Sequence, residues 1–174
     1  MRAFISIDVS EGILARLSEI KRELPQEMRS IGPGSMHITV KFLGEIDDGK
    51  IEKISEIMDS VRLIPFPLAC RGLGVFPNEK FIRVLWAGIE SPGLNKLYSE
   101  LAPKLLALGF GPEEFVPHLT IARAKGKANL DSILAKYRNE VFGECAISSF
   151  SLKKSTLTQT GPVHEDLHRV SVKV

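Results

Sequence analysis

Cysteine is scarce in this chain. Cys70 and Cys145 are its only two in 174 residues, and they lie far apart in apolar, strand-like surroundings. No C-x-x-C spacing exists, which excludes a zinc ribbon, a thioredoxin-like redox motif and a disulfide-stapled scaffold. Two reduced thiols suit a cytosolic protein, so a cytoplasmic location is expected. Long hydrophobic runs are missing too, and no segment reaches membrane-spanning length. Residues 1–9, MRAFISIDV, are too short and too alternating for a signal peptide. A glycine-rich P-loop is absent, leaving ATP use without support, and no cofactor is expected. Charge of either sign is not in excess: 23 Lys and Arg against 21 Asp and Glu give +2. That balance argues against a protein that coats long nucleic acids, yet it leaves room for a locally bound anionic group.

What is present is ordinary for one globular domain with a sizeable core: 44% hydrophobic and 25% charged residues. Residues 2–8 read as a strand. Ser10 is a helix N-cap for a stripe of Ile13, Leu14, Leu17, Ile20 and Leu24 that stops at Pro25. A strand over about 36–43 follows, then a helix capped by Asp47 or Asp48 and a strand over 66–75. The same plan recurs: strand 81–88, a helix opened by Ser91 and Pro92 with Pro103 inside it, and strand 115–123. A helix carrying Leu130, Ile133, Leu134, Tyr137 and Val141 comes next, then two tail strands near 145–158 and 167–173. A shift of 81 positions lays His37 on His118, Ile5 on Trp86, Leu17 on Tyr98 and Ile20 on Leu101. The expectation is an internal duplication, roughly 1–75 and 80–160, within a single domain spanning 1–174. The fold class is α+β: two pseudo-symmetric lobes of mainly antiparallel sheet, with outer helices, around a central groove.

Only four histidines exist, and two stand in the repeated tetrapeptides His37-Ile38-Thr39-Val40 and His118-Leu119-Thr120-Ile121. On a strand, residues i and i+2 share a face, so each copy presents an imidazole beside a hydroxyl on a rigid, apolar-backed element. Two such units facing each other supply an acid, a base and two donors for non-bridging oxygens, which is what phosphodiester cleavage without a metal requires. By the same alternation Lys41 shares the face of His37 and Thr39. Arg123, five positions after His118, falls on the opposite face; it either reaches substrate from the strand end or is a solvated charge.

Residues 36–44, MHITVKFLG, and 115–123, FVPHLTIAR, resemble the two signature segments of the two-histidine phosphoesterase superfamily. Gly74-Val75-Phe76-Pro77 and Arg83-Val84-Leu85-Trp86-Ala87-Gly88 resemble the middle segment of its bacterial and archaeal RNA 2′,3′-cyclic phosphodiesterase branch, historically called 2′-5′ RNA ligases. The likeness extends over essentially the whole chain. It implies metal-free hydrolysis of a terminal RNA 2′,3′-cyclic phosphate to a 2′-phosphate. His118 would be the base that activates water and His37 the acid, an order taken from the family alone. Thr39 and Thr120 would hold the phosphate, with Arg123 as a further substrate contact. RNA 3′ ends or small cyclic nucleotides are the implied partners. A monomer suffices, since both motifs lie in one chain. The alternatives are 2′-5′ ligation, the reverse reaction through the same histidines, and an RNA-end binding module without chemistry; pure binding would favour Arg and Lys over His-Thr pairs.

His164-Glu165-Asp166-Leu167-His168 satisfies the zinc pattern H-E-x-x-H, but that chemistry needs a helix, and the tail alternates like a strand. No metal is expected there. His164 reads as a loop residue near the groove mouth and His168 as a sheet-face residue. Lys125, Lys127, Lys153 and Lys154 read as solvated surface, with an RNA backbone as the alternative.

Overall fold

β-branched and aromatic residues recur in nine segments of this chain, and the computed structural model, which describes residues 1–172, forms these segments into sheet. In chain order the elements are β1 (Arg2–Ile7), α1 (Glu11–Ile20), β2 (Met28–Ser30), β3 (Ile38–Glu45), α2 (Asp48–Asp59), β4 (Phe66–Asn78) and β5 (Phe81–Glu90). They continue with α3 (Pro92–Ala107), β6 (His118–Ala124), α4 (Asp131–Lys136), β7 (Val141–Ile147), β8 (Ser149–Thr158) and β9 (Gly161–Ser171). Three helices start where a side chain can accept an orphan N–H. Ser10 accepts from Ile13, Asp47 from Lys50 and Ser91 from Leu94. Among the described residues no helix is long and apolar enough to cross a membrane.

The architecture is α+β with a wholly antiparallel sheet, in the order β7-β4-β5-β6-β3-β1-β8-β9, and β2 adds to β6. Apart from β2, its strands divide into two sets of four that pair only where β3 meets β6, through the single register pair Ile38 and Leu119. The halves do not follow chain order. One holds β1, β3 and the tail strands β8 and β9; the other holds β4 to β7. The helices cover one sheet face. Ile13, Leu17, Ile54, Leu94 and Leu101 join Ile5, Ile7, Leu85 and Leu119 in one core. The opposite face is open.

Three expectations need correction. The tail forms three strands rather than two, so His164 lies on β9 and not in a loop. The last helix ends at Lys136, and Val141 opens β7. Phe142 and Gly143 are drawn against β4 and α1, where a Cβ on Gly143 would stand 2.9 Å from Ile13 Cγ1; sheet pairing outweighs helical spacing there. The second His-x-Thr strand begins at His118 rather than 115, since Pro117 has no N–H to give the ladder.

Trp86, the chain's one tryptophan, lies on the open face over Gly74, where a Cβ would come within 2.2 Å of the indole. Gly74→Ala is therefore expected to cost about 1–3 kcal/mol of stability through overpacking. Thermal unfolding and the emission of this single tryptophan measure it; an unchanged Tm with unchanged emission would contradict the close packing.

Candidate active site

The seam places the two motifs against one another. Ile38 follows His37 and Leu119 follows His118, and these two apolar residues are the paired ones. Continuing the antiparallel register by one residue each way sets His37 across from Thr120, and Thr39 across from His118. Each imidazole thus faces the hydroxyl of the other motif, on the open side. Ile38 and Leu119 point into the core and are fully buried.

His118 is oriented by its own lead-in: Nδ1 lies 2.7 Å from the Val116 carbonyl oxygen. In that contact the neutral ring donates from Nδ1, which leaves the Nε2 lone pair free to accept a proton. Phe76 meets the ring edge-on at 5.0 Å, and Trp86 lies 6.2 Å away. Burial lowers the His118 pKa, the Val116 carbonyl opposes that, and the Arg123 charge adds to the lowering.

His37 is more deeply perturbed. Its ring stacks on Phe4 at 4.7 Å and meets His164 at right angles, 5.0 Å between centroids. Burial first, then His164, Lys153 and His118, push its pKa down to about 4, against the pull of Asp8. Lys153 in turn is held by Asp8 at 2.8 Å and Asp166 at 3.4 Å. It therefore belongs to the site's charge network and not to the solvated surface expected from sequence. Neighbouring strands lie about 4.8 Å apart, so a flat sheet would separate β3 from β9 by about 14 Å. The contact of His164 with His37 therefore requires this half to curl sharply. His164 Nδ1 is buried without a hydrogen-bond partner, as are Ser6 Oγ and Trp86 Nε1. Ser6 is the register partner of Thr39 on the open face. No motif marks Ser6 for this site, and His164, expected near the groove mouth, reaches it from a strand rather than a loop; pairing of distant strands brings both in.

Lys41 and Arg123 both sit opposite to what strict alternation predicts, for one reason. Directly paired residues share a sheet face, and an extra residue in one strand reverses its parity beyond that point. On β3 the register passes from Ser6–Thr39 to Ile5–Lys41, so Val40 is extra and Lys41 joins core-facing Ile5. Lys41 is 3% exposed. Its ammonium donates to the Gly111 carbonyl at 2.6 Å and lies 3.5 Å from Glu113, bracing the lead-in to β6. On β6 the register passes from Trp86–Thr120 to Leu85–Ala122 and Val84–Arg123. Ile121 is the extra residue, and Arg123 returns to the face of His118 and Thr120. His37, Thr39, His118, Thr120 and Arg123 are therefore gathered on one surface.

His164 and His168 both lie on β9 and go separate ways, since His168 Nε2 meets Asp59 at 2.9 Å. They do not form the helical ligand pair of a zinc protease. Among the described residues no group of three or more His, Cys, Asp or Glu is gathered as a metal site. Cys70 is buried, which pushes its thiol up to about 12 and makes it inert.

An open sheet face with two His-Thr pairs at a strand seam is the arrangement of a two-histidine phosphoesterase. The chain belongs to the LigT-like phosphoesterase family, which it matches over residues 7–86 and 88–164. It is 35% identical to the RNA 2′,3′-cyclic phosphodiesterase of Methanothermobacter thermautotrophicus, over 96% of each chain. The protein of the same description from Thermotoga maritima is 38% identical, over 97% of this chain and 94% of that one. A crystal structure from Thermus thermophilus superposes with a TM-score of 0.84 at 28% identity, covering 98% of this chain and 97% of that one. Escherichia coli LigT complexed with 3′-AMP has the same fold, with a TM-score of 0.84 at 23% identity over 99% and 98% of the two chains.

Removing the His164 ring takes away both a cover and a positive neighbour of His37. In His164→Ala the His37 pKa is expected to rise from about 4 toward the free value of 6.5. NMR titration of the histidine ring protons reads this directly, and an unmoved His37 would break the link between the two rings.

Proposed function

We propose that this protein hydrolyses the terminal 2′,3′-cyclic phosphate of RNA to a 2′-phosphomonoester, with His37 and His118 as a metal-free acid–base pair. The observation that supports this reading is the Ile38–Leu119 pair at the seam, since an antiparallel register continued from it sets each histidine against the other motif's threonine. Water attacks phosphorus and gives its proton to His118 Nε2, the nitrogen left free by the Val116 contact. The bond from phosphorus to O3′ breaks, and His37 delivers a proton to that oxygen. Thr39 and Thr120 donate to the non-bridging oxygens, where charge accumulates, and Arg123 adds positive charge on the same face. The descriptions of the relatives from Methanothermobacter and Thermotoga support this choice of substrate. We read the chain as one domain built on a duplicated unit, which two consecutive family matches support. One copy then supplies the whole site.

An oligonucleotide ending in a 2′,3′-cyclic phosphate, offered with excess EDTA, is expected to give a 2′-phosphate at an undiminished rate. Loss of activity in EDTA would end the metal-free mechanism, and a 3′-phosphate product would reverse the regiochemistry. His37→Ala and His118→Ala are each expected to lower turnover ~10²–10⁴-fold, and Thr120→Val ~10²–10³-fold. Residual turnover within about tenfold of wild type would remove either histidine from catalysis.

The pH dependence carries a definite sign. Both imidazoles hold protons less readily than free histidine, and His37 is largely protonated only below about pH 4. A phosphate anion bound between them favours the charged rings and raises both values. kcat/KM, which reports the free enzyme, is expected to peak between about 4 and 6.5, with kcat peaking at higher pH. Coincident profiles with an optimum above neutrality would contradict this coupling.

A further inference from the structure

A cavity of about 510 Å³ opens where the β4–β5 turn meets the segment after β6, beyond the far end of the strand that begins at His118. Four cations line it: Lys80 and Arg83 from one side, Lys125 and Lys127 from the other, with no carboxylate in its wall. Glu79, in the same turn, does not line it. The ion pairs of the described residues use the Met1 ammonium, Arg16, Lys41, Lys136, Lys153, His168 and Arg169, and none of these four cations enters one. In a chain whose net charge is only +2, this is a local concentration of positive potential that no carboxylate neutralises among the described residues. The wall also holds an aromatic platform. Phe81 is 56% exposed, and the Arg83 guanidinium lies 4.8 Å from its ring centre. Exposed rings and guanidinium planes are surfaces on which unpaired bases stack, and lysines track the phosphates between them.

β6 links the two places. It runs from His118 to Ala124 in the cavity wall, about 20 Å at 3.3 Å per residue. The bulge at Ile121 returns Arg123 to the His118 face just before the wall. We infer that the cavity binds the single-stranded RNA upstream of the reacting end, with backbone phosphates on Lys80, Lys125 and Lys127 and a base on Phe81. The inference rests on the phosphodiesterase reading and sharpens it: the preferred substrate is an oligonucleotide several residues long, not a mononucleoside cyclic phosphate.

The test compares an octanucleotide ending in a 2′,3′-cyclic phosphate with adenosine 2′,3′-cyclic phosphate, for wild type, Lys125→Ala/Lys127→Ala and Phe81→Ala. Both variants are expected to lower kcat/KM for the octanucleotide roughly tenfold or more through KM, Phe81→Ala by loss of a stacked base and the double-lysine variant by loss of phosphate contacts. Hydrolysis of the mononucleotide is expected to be unchanged. The double-lysine variant is also expected to flatten the log–log salt dependence of octanucleotide affinity by ~1.4, from ~0.7 for each single-strand phosphate that is no longer neutralised. Equal effects on both substrates, or none on either, would overturn the subsite. Fluorescence anisotropy of a labelled octanucleotide is read in parallel. If wild type hydrolyses neither substrate, the phosphodiesterase reading fails, while weaker octanucleotide binding by the variants still supports the RNA site. Unchanged binding overturns it. A nucleoside triphosphate whose binding depends on these lysines, with octanucleotide binding unaffected, would also overturn it.

Discussion

One pair of apolar residues organises this molecule. Ile38 and Leu119 are the only register pair that joins the two halves of the sheet among the described residues. Both are fully buried, so the core fixes the register. A slip of one residue would drive His37 or His118 into the core and Ile38 or Leu119 onto the open face. Burial of two aliphatic side chains therefore holds two imidazoles and two hydroxyls in opposition. Residues around the seam protect that pairing. Lys41, on the first motif's strand, grips Gly111 and Glu113 ahead of the second, while Tyr98 stacks on Phe115 and donates to the Glu113 carbonyl.

The electrostatics follow from the same arrangement. The seam site is lined with rings: Phe4 and His164 on the His37 side, Phe76 and Trp86 on the His118 side. Rings exclude water without offering a counter-charge, so both histidines are driven toward neutrality. The cations that face the site, Lys153 and Arg123, push in the same direction. A site of this kind is short of negative charge, and an anion bound in it relieves several unfavourable interactions together. Substrate charge becomes part of what sets the protonation state used in catalysis.

Much of this is readable in the chain. The two tetrapeptides, the capped helices and the antiparallel plan follow from local spacing and from turn and cap chemistry, which are written in consecutive residues. The departures share a cause of the opposite kind. Strict alternation puts Lys41 and Arg123 on the wrong faces because single extra residues, Val40 and Ile121, reverse strand parity. A bulge is a property of two paired strands, and neither strand alone announces it. Gly161-Pro162 makes His164 look like a loop residue, yet pairing of β9 with β8 captures that segment and carries it to His37. Val141 fits a helical stripe by spacing, but β4 offers it an edge. In each case a non-local partner outweighs a local preference.

The sheet topology explains why the site needs the end of the chain. The first motif lies within 45 residues of the start, yet β1 gains its second neighbour only from β8, which begins at Ser149. Until β8 and β9 add to β1, Phe4 and His37 lack the cover of His164, and Lys153 is absent from its place between Asp8 and Asp166. The half containing His118 draws β4 to β7 from one continuous stretch, whereas the half containing His37 closes only when the last strands return across the molecule. The perturbation of His37 depends on burial and on charges from that returning segment, so it is a property of the completed fold. His118 takes its orienting bond from Val116, two residues away. The two motifs look alike in sequence, but His118 is covered by Phe76 and Trp86 of β4 and β5 while His37 is covered and charged by the returning tail, so two similar tetrapeptides sit in different surroundings.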